Sequence, residues 1–326
     1  MSKPYVPDPF PLEDLDYKRL FSLASDANVA VGRYDGALQG VVNPAVILSP
    51  LAKQEAVLSS KIEGTQATLD EVLEHQAGMV KEGEKEQDIQ EIINYRQALF
   101  AGYHDLKERA MTLLFVRQLH KILMQSVRGK DKMPGEFRTD QNWIGTPGCT
   151  IEKASFIPPD PLHLTEHLEA WQKYIESDDI DFLVQTALVH AQFELIHPFK
   201  DGNGRIGRIL IPLFLYQKKR LFYPAFYLSA YLEAHREEYY CRLQNISERR
   251  DWNGWIAFFL RAVESQAKSD YDKVQAILKL YEEMKTTVQQ ITRSRFTIKV
   301  IDAIFNRPIF NTNYFVEHSE INKTTA

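Results

Sequence analysis

The sequence is short of several things, and each shortage excludes a class of protein. Two cysteines, Cys149 and Cys241, occur in 326 residues, too few for a disulfide framework or a cysteine-rich zinc module. No run approaches the roughly 18 apolar residues that a membrane-spanning helix needs; the longest, near 209–216, is far shorter. The opening Met1-Ser-Lys-Pro-Tyr-Val-Pro-Asp-Pro-Phe10 lacks the apolar centre of a signal peptide. Neither sign of charge dominates, since 39 Lys and Arg stand against 44 Asp and Glu for a net charge of −5. A polybasic protein held to nucleic acid by bulk charge is excluded, though a local basic patch is not. No serine or cysteine nucleophile motif is present, and His163, His167, His235 and His318 form no constellation. The expectation is a soluble, reduced, cytoplasmic protein.

What is present is the composition of an ordinary globular chain, 44% hydrophobic and 25% charged, long enough at roughly 150 residues per domain for about two domains. Pro4, Pro7, Pro9 and Pro11 make the start an extended arm, because proline disfavours helix for itself and its predecessor. Apolar residues recur with helical spacing over 15–31, 50–61, 69–79, 89–104, 113–125, 162–175, 182–196 and 206–216, and again over 228–290. Strand-like alternation is confined to 135–159, where Phe137, Trp143, Ile144, Ile151, Phe156 and Ile157 surround Thr146-Pro147-Gly148. That stretch predicts a β-hairpin in a mostly α protein.

One segment carries chemistry, Ala191-Gln-Phe-Glu-Leu-Ile-His-Pro-Phe-Lys-Asp-Gly-Asn-Gly-Arg-Ile-Gly-Arg208. An apolar helix stops at His197-Pro198, a loop holds Asp201-Gly202-Asn203-Gly204, and a second helix starts near Arg205. Glycines flanking an asparagine before a helix let backbone N–H groups approach an anion, and the helix adds its own unpaired N–H groups. An ordinary interhelical turn would explain the glycines, but not Arg205 and Arg208 one turn apart on one helical face. A titratable base, a hard oxygen ligand, free amides and two guanidiniums are what phosphoryl-type chemistry needs. His190 lies seven residues before His197, but no third ligand follows at metal-site spacing, so it reads as a core or supporting residue.

The run His197-Pro-Phe-Lys-Asp201-Gly-Asn-Gly-Arg205-Ile-Gly-Arg208 resembles the signature of the Fic family (filamentation induced by cAMP), His-Pro-Phe-x-(Asp/Glu)-Gly-Asn-Gly-Arg-x-x-Arg, at every defined position. The resemblance implies transfer of AMP from ATP to a Ser, Thr or Tyr hydroxyl of a target protein. It makes His197 the base, and Asp201 the ligand of Mg2+ bridging the α- and β-phosphates. Gly202, Asn203 and Gly204 would cradle those phosphates, Arg205 would neutralise the departing pyrophosphate, and Arg208 would meet the γ-phosphate. Phe199 would pack inward and fix the loop.

Upstream, Leu58-Ser59-Ser60-Lys61-Ile62-Glu63-Gly64 resembles the family's inhibitory motif, (Ser/Thr)-x-x-x-Glu-(Gly/Asn). Ser59 and Glu63 share a helical face and Gly64 can end that helix; by itself, Glu63 could equally be one more solvated carboxylate. The resemblance pairs Glu63 with Arg208 and implies autoinhibition. Asn142, Trp143, Ile144 and Gly145 resemble part of the flap that aligns a target by strand pairing, with core cover as the competing reading for Trp143 and Ile144. Tyr239 and Tyr240 lie where relatives place tyrosines against adenine, and ordinary helix packing would explain them as well. Ser247 stands where some relatives carry an adenine-contacting Asn, with Asn245 two residues earlier.

The end of the chain resembles the opening helices of a winged helix-turn-helix, with Asn322 capping the next helix. The fold implied is a Fic-type helical core with a small β-hairpin flap, plus an N-terminal helical region and a partial C-terminal winged helix. The division expected is 1–108 (with an inhibitory helix at about 50–64), a catalytic core at 109–265, and a C-terminal region at 266–326. ATP and a target protein are the implied partners; a homodimer is left open, and neither a membrane nor, for the chain as it stands, DNA is expected. The competing readings are a DNA-binding regulator with a degenerate nucleotide-sensing core, and a nucleotide binder that transfers nothing.

Overall fold

The computed structural model describes residues 3–41, 43–79, 84–125, 131–146, 148–179, 181–293, 295–319 and 321. Four helices come first: α1 (Tyr17–Gln39), α2 (Ala45–Ile62), α3 (Leu69–Gln76) and α4 (Glu84–Asp105). Next are α5 (Leu113–Leu123), α6 (Leu164–Glu176), α7 (Phe182–Ile196) and α8 (Asn203–Gln217). The chain continues through α9 (Ser229–Ala234), α10 (Arg236–Arg249), α11 (Trp252–Thr292), α12 (Thr297–Asn306) and α13 (Thr312–Ser319).

The starts of these helices follow from their caps. The Thr68 hydroxyl accepts from Glu71 N while the Glu71 carboxylate accepts from Thr68 N, a reciprocal box that opens α3. Thr112 accepts from Phe115 N at the start of α5, and Asp181 accepts from Leu183 N and Val184 N at the start of α7. Helix α5 is amphipathic and buries Phe115, Val116, Leu119, His120 and Leu123. Helices α7 and α8 are apolar almost all round and form the centre of the molecule, as helices without a polar face must. Two indoles fix α7 in place: Trp171 Nε1 donates to Val189 O at 2.9 Å, and Trp255 Nε1 to Ala187 O at 2.8 Å. Helix α11 is 41 residues long, about 60 Å at 1.5 Å per residue, with α1 packed along it.

The extended arm is laid across the core. Asp8 accepts from Arg250 Nε and Trp252 Nε1, and Tyr5 N donates to Ile157 O. The helical block expected over 228–290 divides into α9, α10 and α11, because the chain bends at His235 and Arg250 takes a left-handed φ of 56°. The expected β-hairpin contracts to a single antiparallel bridge between Ile144 and Phe156. Ile144 N donates to Phe156 O, while Ser155 N and Phe156 N both turn onto Ile144 O, and a 3-10 turn at Ile151–Lys153 stops the ladder from continuing. Pro147 and Asn322 lie outside the described residues. Helix α12 packs on α2 and α11. Among the described residues no helix is long and apolar enough to cross a membrane.

Candidate active site

The loop from residue 197 to 202 joins the two central helices, and its shape is fixed from four sides. Helix α7 ends because His197 adopts left-handed angles (φ 50°, ψ 60°) and Pro198 has no N–H to continue it. Asn203 then closes the loop: Phe199 N donates to its Oδ1 at 2.8 Å, and its Nδ2 donates to Phe199 O at 2.9 Å. Phe199 is fully buried and stacks on His120 with ring centroids 3.7 Å apart. The buried Arg138 ties the loop to the segment before the flap, with Nε donating to His197 O at 3.0 Å and Nη2 to Pro159 O at 2.6 Å. Gly202 (φ +76°) is the position that requires glycine, since a Cβ there would also press on Met124.

His197 is oriented by Nδ1 against Glu194 O at 3.2 Å. A carbonyl can only accept, so Nδ1 carries the proton and Nε2 keeps its lone pair. Burial lowers the imidazole pKa to about 4, with Arg138 acting in the same direction; the ring is neutral near pH 7 and able to take a proton. Below the loop, Gly135 N donates to His120 Nδ1 at 2.9 Å, which leaves the protonated Nε2 to donate to Asp201 O at 3.0 Å. Burial likewise brings His120 to about 4.

The two signature arginines diverge. Arg205 turns to α4, where Nη1 meets Glu91 Oε2 at 2.9 Å, and its Nη2 lies 3.5 Å from Asp201 Oδ1. Arg208 turns to α2: Nε donates to Ser59 Oγ at 2.8 Å, and Nη2 to Ser59 O at 3.0 Å and to Glu63 Oε1 at 2.5 Å. Ser59 lies in the last turns of α2, Glu63 caps it, and Gly64 (φ +101°) turns the chain away. Burial would raise the Glu63 carboxyl, but the Arg208 guanidinium overrides it and holds the group below the usual carboxylate range. A Cβ at Gly204 would fall on Glu63 Oε1, so the carboxylate sits directly over the mouth of the loop.

These groups border a cavity of about 690 Å3. His197, Gly204, Arg208 and Glu63 form one side, Trp143, Ile144 and Gly145 of the flap another, and Tyr239, Tyr240 and Ser247 of α10 a third. Gly202, Asn203 and Arg205 are not on its wall; they support the loop from behind. Asn142 donates to Phe199 O at 3.2 Å, so it ties the flap to the loop. Asp201 sits at the loop's edge with its side chain 46% exposed. Tyr239 is buried with its hydroxyl on His190 Nε2 at 3.0 Å, whereas Tyr240 is 43% exposed. Asn245 turns back to Cys241 Sγ, while Ser247 reaches the cavity.

Residues 21–104 match the model described as Fic/DOC family N-terminal, and residues 110–215 the one described as Fic/DOC family. The chain belongs to the Fic/DOC family. It is 28% identical over 257 residues to the protein adenylyltransferase Fic of Drosophila erecta, covering 76% of this chain and 47% of that one. Over 170 residues it is 27% identical to a probable protein adenylyltransferase of Aquifex aeolicus, covering 50% of this chain and 48% of the relative. The chain thus spans about half the length of these curated relatives. Its fold superposes on a Fic family protein from Desulfovibrio desulfuricans with a TM-score of 0.66, at 21% identity over 98% of this chain and 88% of that one. Fic-1 from C. elegans (residues 134–508) gives 0.60, at 17% identity over 81% and 75%.

Within this Fic fold, two groups escape the sequence reading, His120 and Glu194, and a third, His190, takes the place expected of it. His120 supports both Phe199 and Asp201, yet in the sequence it is a lone histidine of an amphipathic helix. His190 is buried against Gly207 O and the Tyr239 hydroxyl, the supporting position expected of it, and burial lowers it to about 3. Glu194 lines the cavity with Oε1 buried and without a hydrogen-bond partner. Burial, opposed by Arg208 and assisted by Glu63, raises its carboxyl to about 8. A charged residue in an apolar helix three positions before His197 was the available signal. Among the described residues no group of three or more His, Cys, Asp or Glu could hold a metal by itself.

Proposed function

We propose that this chain is an autoinhibited protein adenylyltransferase. The observation that carries the reading is a neutral His197, with Nε2 unprotonated, in the same cavity as an Arg208 clamped by Ser59 and Glu63. The first is a base poised for a hydroxyl; the second is a phosphate-binding cation withheld from use. A target Ser, Thr or Tyr hydroxyl would lie against the flap at Asn142, Trp143, Ile144 and Gly145, paired through main-chain groups. Its oxygen bonds to the α-phosphorus of ATP as the bond to the bridging oxygen breaks, and its proton passes to His197 Nε2. Pyrophosphate departs, leaving AMP on the target, and on the chain itself where its own hydroxyls reach the cavity.

The N–H groups at the start of α8, where Gly204 borders the cavity on a loop shaped by Gly202 and Asn203, would receive the α- and β-phosphates, and Arg205, paired with Glu91 behind the loop, would add positive charge against the leaving pyrophosphate. Asp201 is a single half-exposed carboxylate beside that loop, which suits Mg2+, an ion that takes one or two carboxylates and fills the rest of its shell with phosphate oxygens and water. When bound, Mg2+ would draw charge from the phosphate oxygens. Tyr240 and Ser247 offer the surface for the base, with Tyr239 as backing. Arg208, once released, would take the γ-phosphate. The region 1–108 would carry the inhibitory helix, 109–265 the catalytic core and 266–326 the C-terminal helices.

The test is incubation of wild type and Glu63→Gly with α-labelled ATP, Mg2+ and cell lysate. Breaking the pair of a buried guanidinium with the part-exposed Glu63 carboxylate frees the cation for substrate, so the variant should label itself and lysate proteins well above wild type. Absence of label in both would reject adenylyl transfer; equal label in both would reject the latch.

A further inference from the structure

A second cavity, of about 560 Å3, opens between the first half of α2, α4 and the 223–227 segment, and it shares no wall residue with the cavity at His197. Leu99, Phe100, Tyr103 and Tyr227 give it an apolar, aromatic lining, and Arg96 brings a guanidinium to it. Two more cations stand just behind its wall, since Ser49, which lines the cavity, and Lys53 both donate to Asn306 O, and Arg307 is the next residue. Lys53 is only 5% exposed, and its Nζ donates to Asn306 O at 2.5 Å. Arg307 lies over the Tyr314 ring at 4.6 Å, with its Nε and Nη2 buried and without an acceptor. Burial, and then Arg96 and Arg307, lower the Lys53 ammonium to about 8.

Among the described residues no carboxylate pairs with Arg96, Lys53 or Arg307. Glu55, the acid within α2, is spent on Tyr95 and Ser229, and Asp302 of α12 accepts from the Tyr281 hydroxyl. On α4, Glu91 holds Arg205 and Asp88 accepts from Gln66 N. Like charges gathered in a part-buried place, with donors left unpaired, destabilise the free protein. The arrangement is intelligible where a ligand supplies the missing negative charge.

We propose that this is a binding site for a small phosphate monoester with a flat apolar body. The phosphate would lie among Arg96, Lys53 and Arg307, and the body against Phe100, Tyr103 and Tyr227. Three cations favour a dianionic phosphate over a singly charged carboxylate, and guanidiniums suit its oxygens. The volume is within the range of small-molecule sites, roughly 300–1,000 Å3. The site stands apart from the transfer reaction proposed above. It is linked to the site of that reaction through α2, which carries Lys53 near its middle and ends at Ser59 and the Glu63 cap, so an occupant would steady the helix that holds Arg208.

Calorimetric titration of the full chain with phenyl phosphate, inorganic phosphate and phenol tests the site. Phenyl phosphate should bind, inorganic phosphate should bind at least about tenfold more weakly, and phenol should not bind. Arg96→Gln should weaken phenyl phosphate about tenfold or more while leaving the ligand-free Tm unchanged or higher, because it removes an unpaired cation. Phe100→Ala should weaken phenyl phosphate but not inorganic phosphate. Hydrogen exchange with phenyl phosphate present should slow at residues 49–56 and 93–100. Unaltered affinity in Arg96→Gln, or protection confined to residues 197–208, would overturn the proposal. Should Arg96→Gln fail to fold, Arg307→Met reads the same loss of affinity.

Discussion

The loop at residues 197–203 and the flap at 142–156 face each other across one cavity, and they are built on opposite plans. In the loop, Asn203 bonds both backbone groups of Phe199, Arg138 holds His197 O, and His120 holds Asp201 O. In the flap a single bridge joins the two arms, and Trp143 and Ile144 are 42% and 40% exposed. The rigid side suits a ligand whose geometry never varies, such as a phosphate chain, because donors fixed in advance need no reorganisation when charge develops. The loose side suits a partner read through its backbone, since strand pairing asks little of the partner's sequence. On the proposed reading, chemistry falls to the stiff element and recognition to the pliant one.

The largest effect that would sharpen this contrast is expected at His197. His197→Ala removes the proposed base, and proton transfer by a positioned side chain is worth about 10²–10⁴-fold. Label transfer by Glu63→Gly/His197→Ala should fall by that order relative to Glu63→Gly alone, with an unchanged circular dichroism spectrum. A double variant that labels as fast as Glu63→Gly would remove the base from the loop.

Asn203→Ala comes next, and its effect should be on stability as well as rate. It leaves Phe199 N buried and unpaired, at about 1–3 kcal/mol for the lost partner, while Phe199 O keeps only its bond from Asn142. A fall in Tm of several degrees is expected by differential scanning calorimetry, together with faster hydrogen exchange over 197–203. A Tm equal to wild type would show that the loop is not held as described.

These expectations also mark what was legible in the sequence. The loop could be read because its chemistry needs fixed residue types at fixed spacing, and helix α7 was read to the residue, from Phe182 to Ile196. The pairing of Arg208 with Glu63 followed from family resemblance, and the 2.5 Å contact agrees with it. The partner of Arg205 could not be read: a spacing of three puts both arginines on one face, but Glu91 comes from a helix 114 residues away. The support given by His120 was invisible for the same reason, since tertiary neighbours decide it. The hairpin was over-read because alternation reports which side chains are apolar, not how many ladder bonds form. In the flap, Gly145 brings the chain against Cys149 and Ala154, and the backbone turns before a second bridge can form.

A smaller effect distinguishes the two sides by pH. His197 and His120 are held neutral by burial, both at about 4 against an ordinary 6.5. Their folded pKa values lie below the unfolded ones, so the stability they contribute is present above pH 6.5 and is lost as pH falls towards 4. Glu194 behaves oppositely: its carboxyl is raised to about 8 from 4.5, so its contribution is present below pH 4.5 and is lost as pH rises through 8. Hydrogen exchange in the loop should therefore quicken relative to the flap from pH 6.5 down to 4. Glu194→Gln should flatten the decline of Tm that this group contributes between pH 4.5 and 8. Parallel acid responses of loop and flap, or a Tm profile over pH 4.5–8 unchanged in Glu194→Gln, would break the distinction.

The smallest effect on stability is expected in the flap, and there the size of the effect is itself the argument. Ile144→Pro deletes the N–H that donates to Phe156 O, one bond of a bridge whose Ile144 side is 40% exposed. An exposed hydrogen bond contributes only about 0.5–1.5 kcal/mol net, so Tm should move by a few degrees at most, less than in Asn203→Ala. If the flap docks a target by main-chain pairing, the same change loosens and bends the edge that the target must meet, because it breaks the bridge holding that edge to Phe156. The KM for a protein target should then rise, while adenylyl transfer to water or to a small alcohol in the Glu63→Gly background stays within about twofold, since the chemistry of the loop is intact. A variant that loses Tm as Asn203→Ala does would make the flap a structural element. One that keeps both its Tm and its KM for protein would take recognition away from this edge and leave the two sides of the cavity without their division of labour.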